Sequence, residues 1–139
     1  MTDLPADIAT RSPGAVTFRF GDDARLNAHI LDLVRSGQKT LTCGALASFA
    51  ASEAPLPEPG RTDIAPDWDG QPVLAIQAVT VEIISFDQMD AARVPAQGEF
   101  RDLDDRRAGD ERHLRRTGHF VPNAPMLVET FRVAEVFAP

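Results

Sequence analysis

The chain has no tyrosine, one cysteine, one tryptophan and one lysine among its 139 residues. Without tyrosine, no phenol is available as acid, base or hydrogen-bond donor. A lone cysteine, Cys43, excludes an internal disulfide and fits a reducing cytoplasm. No apolar run approaches the roughly 18 residues of a membrane span, so no membrane role is expected. The first residues, MTDLPADIATRSPG, lack both a basic segment and an apolar core, and do not read as a secretory signal. Positive charge is scarce too: the net charge is −7 and the pI about 4.8. That excludes broad, charge-driven binding to duplex nucleic acid, though not one small ligand or a short single strand in a basic pocket.

What is present fits one globular domain. Hydrophobic residues make up 43% and charged residues 25%, which is ordinary for a packed core. Residues 1–13 read as a loose polar arm ended by Ser12-Pro13-Gly14, and residues 14–139 as a single domain. AVTFRF (residues 15–20) alternates as a short strand. GDDARLNAHILDLVRSG reads as a helix capped by Asp22 or Asp23, with Leu26, Ile30, Leu33 and Val34 on one face and Gly37 past its end. ALASFAA is a second short helix, SEAPLPEPGRTD a loop, and APDWDGQPV a turn with Asp69-Gly70 at a hairpin. VLAIQAVTVEIISF (residues 73–86) gives one or two strands with a bend. DQMDAARV is a helical turn, and RDLDDRRAGDERHLRR a polar helix that Gly109 is expected to break. MLVETFRVAEVF closes the fold as a strand with Leu127, Glu129, Phe131 and Val133 on one face. Strands and helices do not alternate strictly. The fold class is therefore α+β, with a mixed or antiparallel sheet curled into a small barrel.

Thirteen of the fourteen basic residues are arginine; the exception is Lys39, in RSGQKTLTCG. A lysine amine held beside apolar walls can act as base or nucleophile. Thr42 supplies a hydroxyl three residues on, and Thr40 another beside the lysine. Lys39 and Thr42 share a face only if the backbone turns between them. The plain alternative is a solvated lysine favoured by the negative end of the preceding helix.

Gly37, Lys39 and Thr42 match, in order, the G-x-K-x-x-T motif that follows the first long helix of ASCH-domain proteins, and the chain resembles that family. Phe20-Gly21-Asp22, VEIISFDQMD and MLVETFRV resemble further segments of a bacterial branch, so the likeness spans residues 17–133. The resemblance implies a PUA-like fold: a small mixed or antiparallel β-barrel with flanking helices and a cleft. It also implies RNA or a modified nucleoside as ligand. Relatives include RNA-binding modules, hydrolases that remove an acyl group from the exocyclic amine of a modified cytidine, and ribonucleases. In the deacylating relatives a lysine, a threonine and a glutamate share the cleft. The matching acid is Glu99, four residues before Leu103, and the catalytic set is then Lys39, Thr42 and Glu99. Glu82 is the runner-up acid.

Gly37, Thr40, Cys43, Glu82, Arg106 and Arg107 are candidate ligand contacts. The two arginines belong to the one basic cluster, RRAGDERHLRR, whose interleaved acids equally suit surface salt bridges. The expected reaction is amide hydrolysis, with Lys39 as nucleophile or base, Thr42 orienting it or polarising the carbonyl, and Glu99 carrying a proton to the leaving amine. A non-catalytic RNA-binding module is the alternative, and a ribonuclease on single-stranded RNA stands behind both. No cofactor or metal is expected: His113 and His119 lack a zinc-ligand spacing. Cys43 is a weaker nucleophile candidate than Lys39. Three departures from the resemblance stand out. Cys43 and Gly44 replace an isoleucine and an arginine of the small deacylating relatives, Val121 replaces a serine common in the closer branch, and tyrosine is missing.

Overall fold

The computed structural model describes residues 15–52 and 55–137; the expected arm, residues 1–13, lies outside them. Its elements are β1 (Val16–Thr17), α1 (Ala24–Arg35), β2 (Leu41–Ala45), α2 (Leu46–Ser52), β3 (Thr62–Pro66), β4 (Pro72–Ser85), two 3₁₀ turns (Phe86–Gln88 and Ala91–Arg93), α3 (Val94–Gln97), α4 (Leu103–Thr117) and β5 (Pro125–Val136).

Helix α1 starts where Asp23 accepts a hydrogen bond from the Leu26 backbone at 2.7 Å, and ends with Arg35 in its last turn. Its buried stripe is Asn27, Ile30, Leu31 and Val34, with Leu33 only half-buried. Asn27 enters the core because its amide donates to the carbonyls of Phe20, at 2.8 Å, and Pro66, at 3.4 Å. Those bonds tie the chain before α1 to the end of β3. Ile30, Leu31 and Val34 pack with Phe20, Leu74, Ile76 and Phe131.

The sheet order is β1-β3-β4-β5-β2, with β1 parallel to β3 and every other pair antiparallel. This is the expected mixed α+β fold with flanking helices, but the sheet is open. β1 and β2 are edges, and the long β4 and β5, bulged at Ala75/Ile76 and Ala78/Thr80, curve the sheet without joining them. The edge strand β1 has two residues, too few to close a barrel. AVTFRF therefore forms less strand than its alternation suggests.

Strand β3 lies inside segments expected as loop and turn. Its five residues end in a proline, and they hold as a strand because β4 pairs along them. The Asp69-Gly70 turn does join β3 to β4, with the Asp67 carboxylate accepting from the Asp69 and Gln71 amides. Residues 73–86 are one bulged strand up to Ser85, not two. Gly109 does not break α4. A Cβ there would sit 2.5 Å from the Phe100 ring, so the glycine lets Phe100 lie flush on the helix. Leu114 of α4 packs with Ala45, Phe86, Ala124 and Met126. Helices α1 and α4 thus flank one part of the sheet, and a cavity lies between them.

Candidate functional site

The cavity measures about 460 Å³, within the range of small-molecule sites. Its walls come from α1, β2, α2, β3, α4 and β5. Phe18, Phe20, Phe49 and Phe100 give it aromatic faces; Lys39, Thr42, Glu99 and Glu129 are among its polar groups.

Lys39 is 2% exposed, so it is not the solvated lysine of the plain alternative. Its Nζ donates to the Leu41 carbonyl at 2.8 Å, to the Gln97 carbonyl at 3.1 Å and to Glu99 Oε2 at 2.7 Å. Three acceptors match the three protons of an ammonium, and a neutral amine has only two. The geometry is that of a buried cation locked to a carboxylate. The Glu99 side chain keeps 20% exposure and reaches the cavity.

Gly98 makes this pairing possible. It ends α3 with φ +75°, and a Cβ on it would stand 2.7 Å from the Gln38 carbonyl oxygen. The close approach brings the Gln97 carbonyl and the Glu99 side chain onto Lys39. Thr42 lies on β2 directly across from Glu129 on β5, so the two side chains share a sheet face, and both line the cavity. Thr42's hydroxyl bonds to none of the described residues.

The other sequence candidates divide. Cys43 lines the cavity, but burial, then the Asp110 carboxylate, push its thiol up to about 11 against the pull of Arg106, so it is no thiolate near neutrality. Arg106 is buried rather than open to ligand, bonded to Asp110 at 3.3 Å and the Cys43 sulfur at 3.3 Å. Arg107 reaches the Met89 carbonyl at 3.3 Å and is not part of the cavity wall. Glu82 is exposed and paired with Arg93 at 2.8 Å, so Glu99 and not Glu82 is the acid on Lys39. Gly37 and Thr40 are exposed and lie off the cavity. Gly37 turns the chain at φ +82°, and the Thr40 backbone bridges Ala96 and Phe131. His113 stands at the cavity near Asp22, and no group of three metal-ligating side chains occurs among the described residues.

Several contributors have no place in the sequence expectation. Gly98 is one; Glu129 is another, although its place between Leu127 and Phe131 on an alternating strand signals an acid on a buried face. Glu129 is 5% exposed, and its Oε2 has no hydrogen-bond partner among the described residues. Burial, then the Asp63 carboxylate, push its carboxyl up to about 7, while Arg61 pulls the other way. Asp63 is held by Arg61 through two bonds of 2.7 Å. Burial likewise raises Asp110, chiefly against the opposing Arg106. Arg112 and Arg116 of α4 also line the cavity; Arg116 pairs with Asp22 at 2.7 Å, and Arg112 has no ion-pair partner among the described residues.

No helix among the described residues is long and apolar enough to cross a membrane. No curated protein matches the chain. The fold matches the crystal structure of protein EF3133 from Enterococcus faecalis V583, of family DUF984, with TM-score 0.78 and 27% identity over 88% of this chain and 78% of that one. It also matches an ASCH domain from Lactobacillus crispatus JV V101 with TM-score 0.73 and 19% identity, over 94% of this chain and 86% of that one; this second likeness is one of fold. The ASCH domain family model matches residues 16–135. The chain thus belongs to the ASCH domain family.

Proposed function

We infer that the cavity takes the base of a nucleoside, free or at the end of an RNA strand, and hydrolyses an acyl group from a cytidine-type N4 amine. The observation that carries this reading is the buried Lys39–Glu99 pair, 2.7 Å long, opening onto an aromatic-lined cavity. Phenylalanine faces suit a flat ring. An ion pair held in a partly dry site suits proton transfer.

The geometry shifts the roles expected from sequence. Lys39 has all three protons engaged, so it supports Glu99 as a positioned cation rather than attacking as a free amine. Glu99 then removes a proton from water as the water oxygen bonds to the acyl carbon. The Thr42 hydroxyl donates to the developing oxyanion. On collapse the C–N bond breaks, Glu99 returns its proton to the departing N4 nitrogen, and a carboxylic acid and a cytidine amine are released.

Turnover of N4-acylated cytidines, followed by absorbance, tests the reading. The parent protein should hydrolyse at least one acyl chain length. Glu99→Gln should lower kcat by about 10²–10⁴-fold. Absence of turnover across the acyl series overturns it. A second reading, a non-catalytic RNA-binding module, draws on Arg112 and Arg116 at the cavity, where they can meet phosphates. Salt-sensitive binding of single-stranded RNA without turnover would favour it, and strand cleavage by the parent protein would favour a ribonuclease.

A further inference from the structure

Glu129 is 5% exposed, lines the cavity and has one carboxyl oxygen, Oε2, with no hydrogen-bond partner among the described residues. A buried polar atom left unpaired costs stability, and Glu129 lines the cavity, so its carboxyl calls for a partner from outside the chain. The groups around it do not supply one. Thr42 stands across from it on β2, Val81 on β4, and Asp63 on β3 is already held by Arg61.

We propose that Glu129 reads the hydrogen-bonding edge of the ligand, pairing with a ring that carries an N–H donor beside a nitrogen acceptor. A protonated carboxyl offers one O–H donor next to one acceptor oxygen, the complement of that edge. The N4–H and N3 atoms of a cytidine form such an edge; the N3–H and O4 atoms of a uridine present the reverse order. Burial and Asp63 hold the carboxyl near pH 7 in its titration, so the acid form is available close to neutrality. Glu129 is a recognition residue, separate from the Lys39–Glu99 pair. The inference rests on the nucleoside reading of the cavity, not on its hydrolytic chemistry.

The test is calorimetric binding of cytidine, 3-deazacytidine and uridine to the full chain and to Glu129→Ala and Glu129→Gln, with N4-acylcytidine turnover measured in parallel. The parent protein should prefer cytidine to 3-deazacytidine by about tenfold or more. Its cytidine affinity should fall between about pH 6 and about pH 8.5 as Glu129 ionises. Glu129→Ala should reduce the preference to about twofold. Glu129→Gln, whose amide keeps a donor beside an acceptor, should retain preference while losing the pH dependence. Equal binding of cytidine and 3-deazacytidine, an undiminished preference in Glu129→Ala, or no nucleoside binding overturns the proposal. Turnover together with an undiminished preference in Glu129→Ala sinks this inference alone. Discriminating binding without turnover sustains it and removes the hydrolytic reading.

Discussion

Gly98 lies so close to Gln38 that a Cβ on the glycine would stand 2.7 Å from the Gln38 carbonyl oxygen. At φ +75° it also occupies backbone space that side chains disfavour by about 1–2 kcal/mol. Gly98→Ala should therefore push the Gln97–Glu99 segment off Lys39. The expected result is a loss of at least about tenfold in kcat for the proposed hydrolysis, with Tm down by several degrees. Gly60→Ala is the control. Gly60 has φ +91° but nothing within 4 Å of its Cβ position, so it carries the strain without the collision. It should lower Tm while leaving kcat unchanged; equal kcat loss in both variants would refute the role given to Gly98.

The ion pair behind that glycine makes its own prediction. Lys39 is 1% exposed at its side chain and Glu99 20%, so removing the lysine leaves a partly buried carboxylate and two carbonyls without their donor. Breaking such a pair costs about 3–5 kcal/mol. Lys39→Met should show a loss of that order in urea unfolding, and Lys39→Met with Glu99→Gln should recover part of it. A double-mutant cycle with no coupling would mean that the pair is not formed in solution.

How far the sequence spoke for itself varies by residue. Lys39 was legible because it is the chain's one lysine beside a helix end, and α1 because its cap and apolar spacing agree. Glu99 was legible only through family resemblance, with Glu82 as the runner-up acid. Strand β3 was hidden because its residues are few and proline-flanked, and only pairing with β4 makes them a strand. The open sheet was hidden too, since edge closure depends on strand lengths and bulges that alternation does not encode. Glu129 sat in plain view on the apolar face of β5. A polar residue there reads as a register error until a cavity is placed over it.

Cys43 should be unreactive despite lining the cavity. Its thiol is pushed up to about 11, by burial first and Asp110 second. Below pH 9 the thiolate fraction is then about a hundredfold smaller than in the unfolded chain. Iodoacetamide labelling at about pH 8, read by mass spectrometry, should be about a hundredfold slower in the native protein than in urea. Native labelling at the denatured rate would overturn this, and Cys43→Ser should leave turnover within about twofold.

Glu129 sets a pH dependence of stability whose sign follows from burial. Its folded carboxyl titrates at about 7 against the usual 4.5, because burial and Asp63 disfavour the anion. Below about pH 4.5 both folded and unfolded states hold the proton, and the residue costs nothing. Between the two values the unfolded chain has lost its proton while the folded chain keeps it. Stability therefore falls as pH rises through this window and levels off above about 7. The cost is on the order of 3 kcal/mol at most, from about 1.4 kcal/mol per unit. Glu129→Gln removes the titrating group while filling the same space. The parent protein should thus lose stability relative to Glu129→Gln between about pH 5 and pH 8 in urea titrations, and the two curves should converge at the acid end. Parallel curves across that range would show that Glu129 finds a partner in the free protein. Bound cytidine should leave the gap unchanged near pH 6 and widen it above about pH 7, where the affinity of the parent protein falls and that of Glu129→Gln does not.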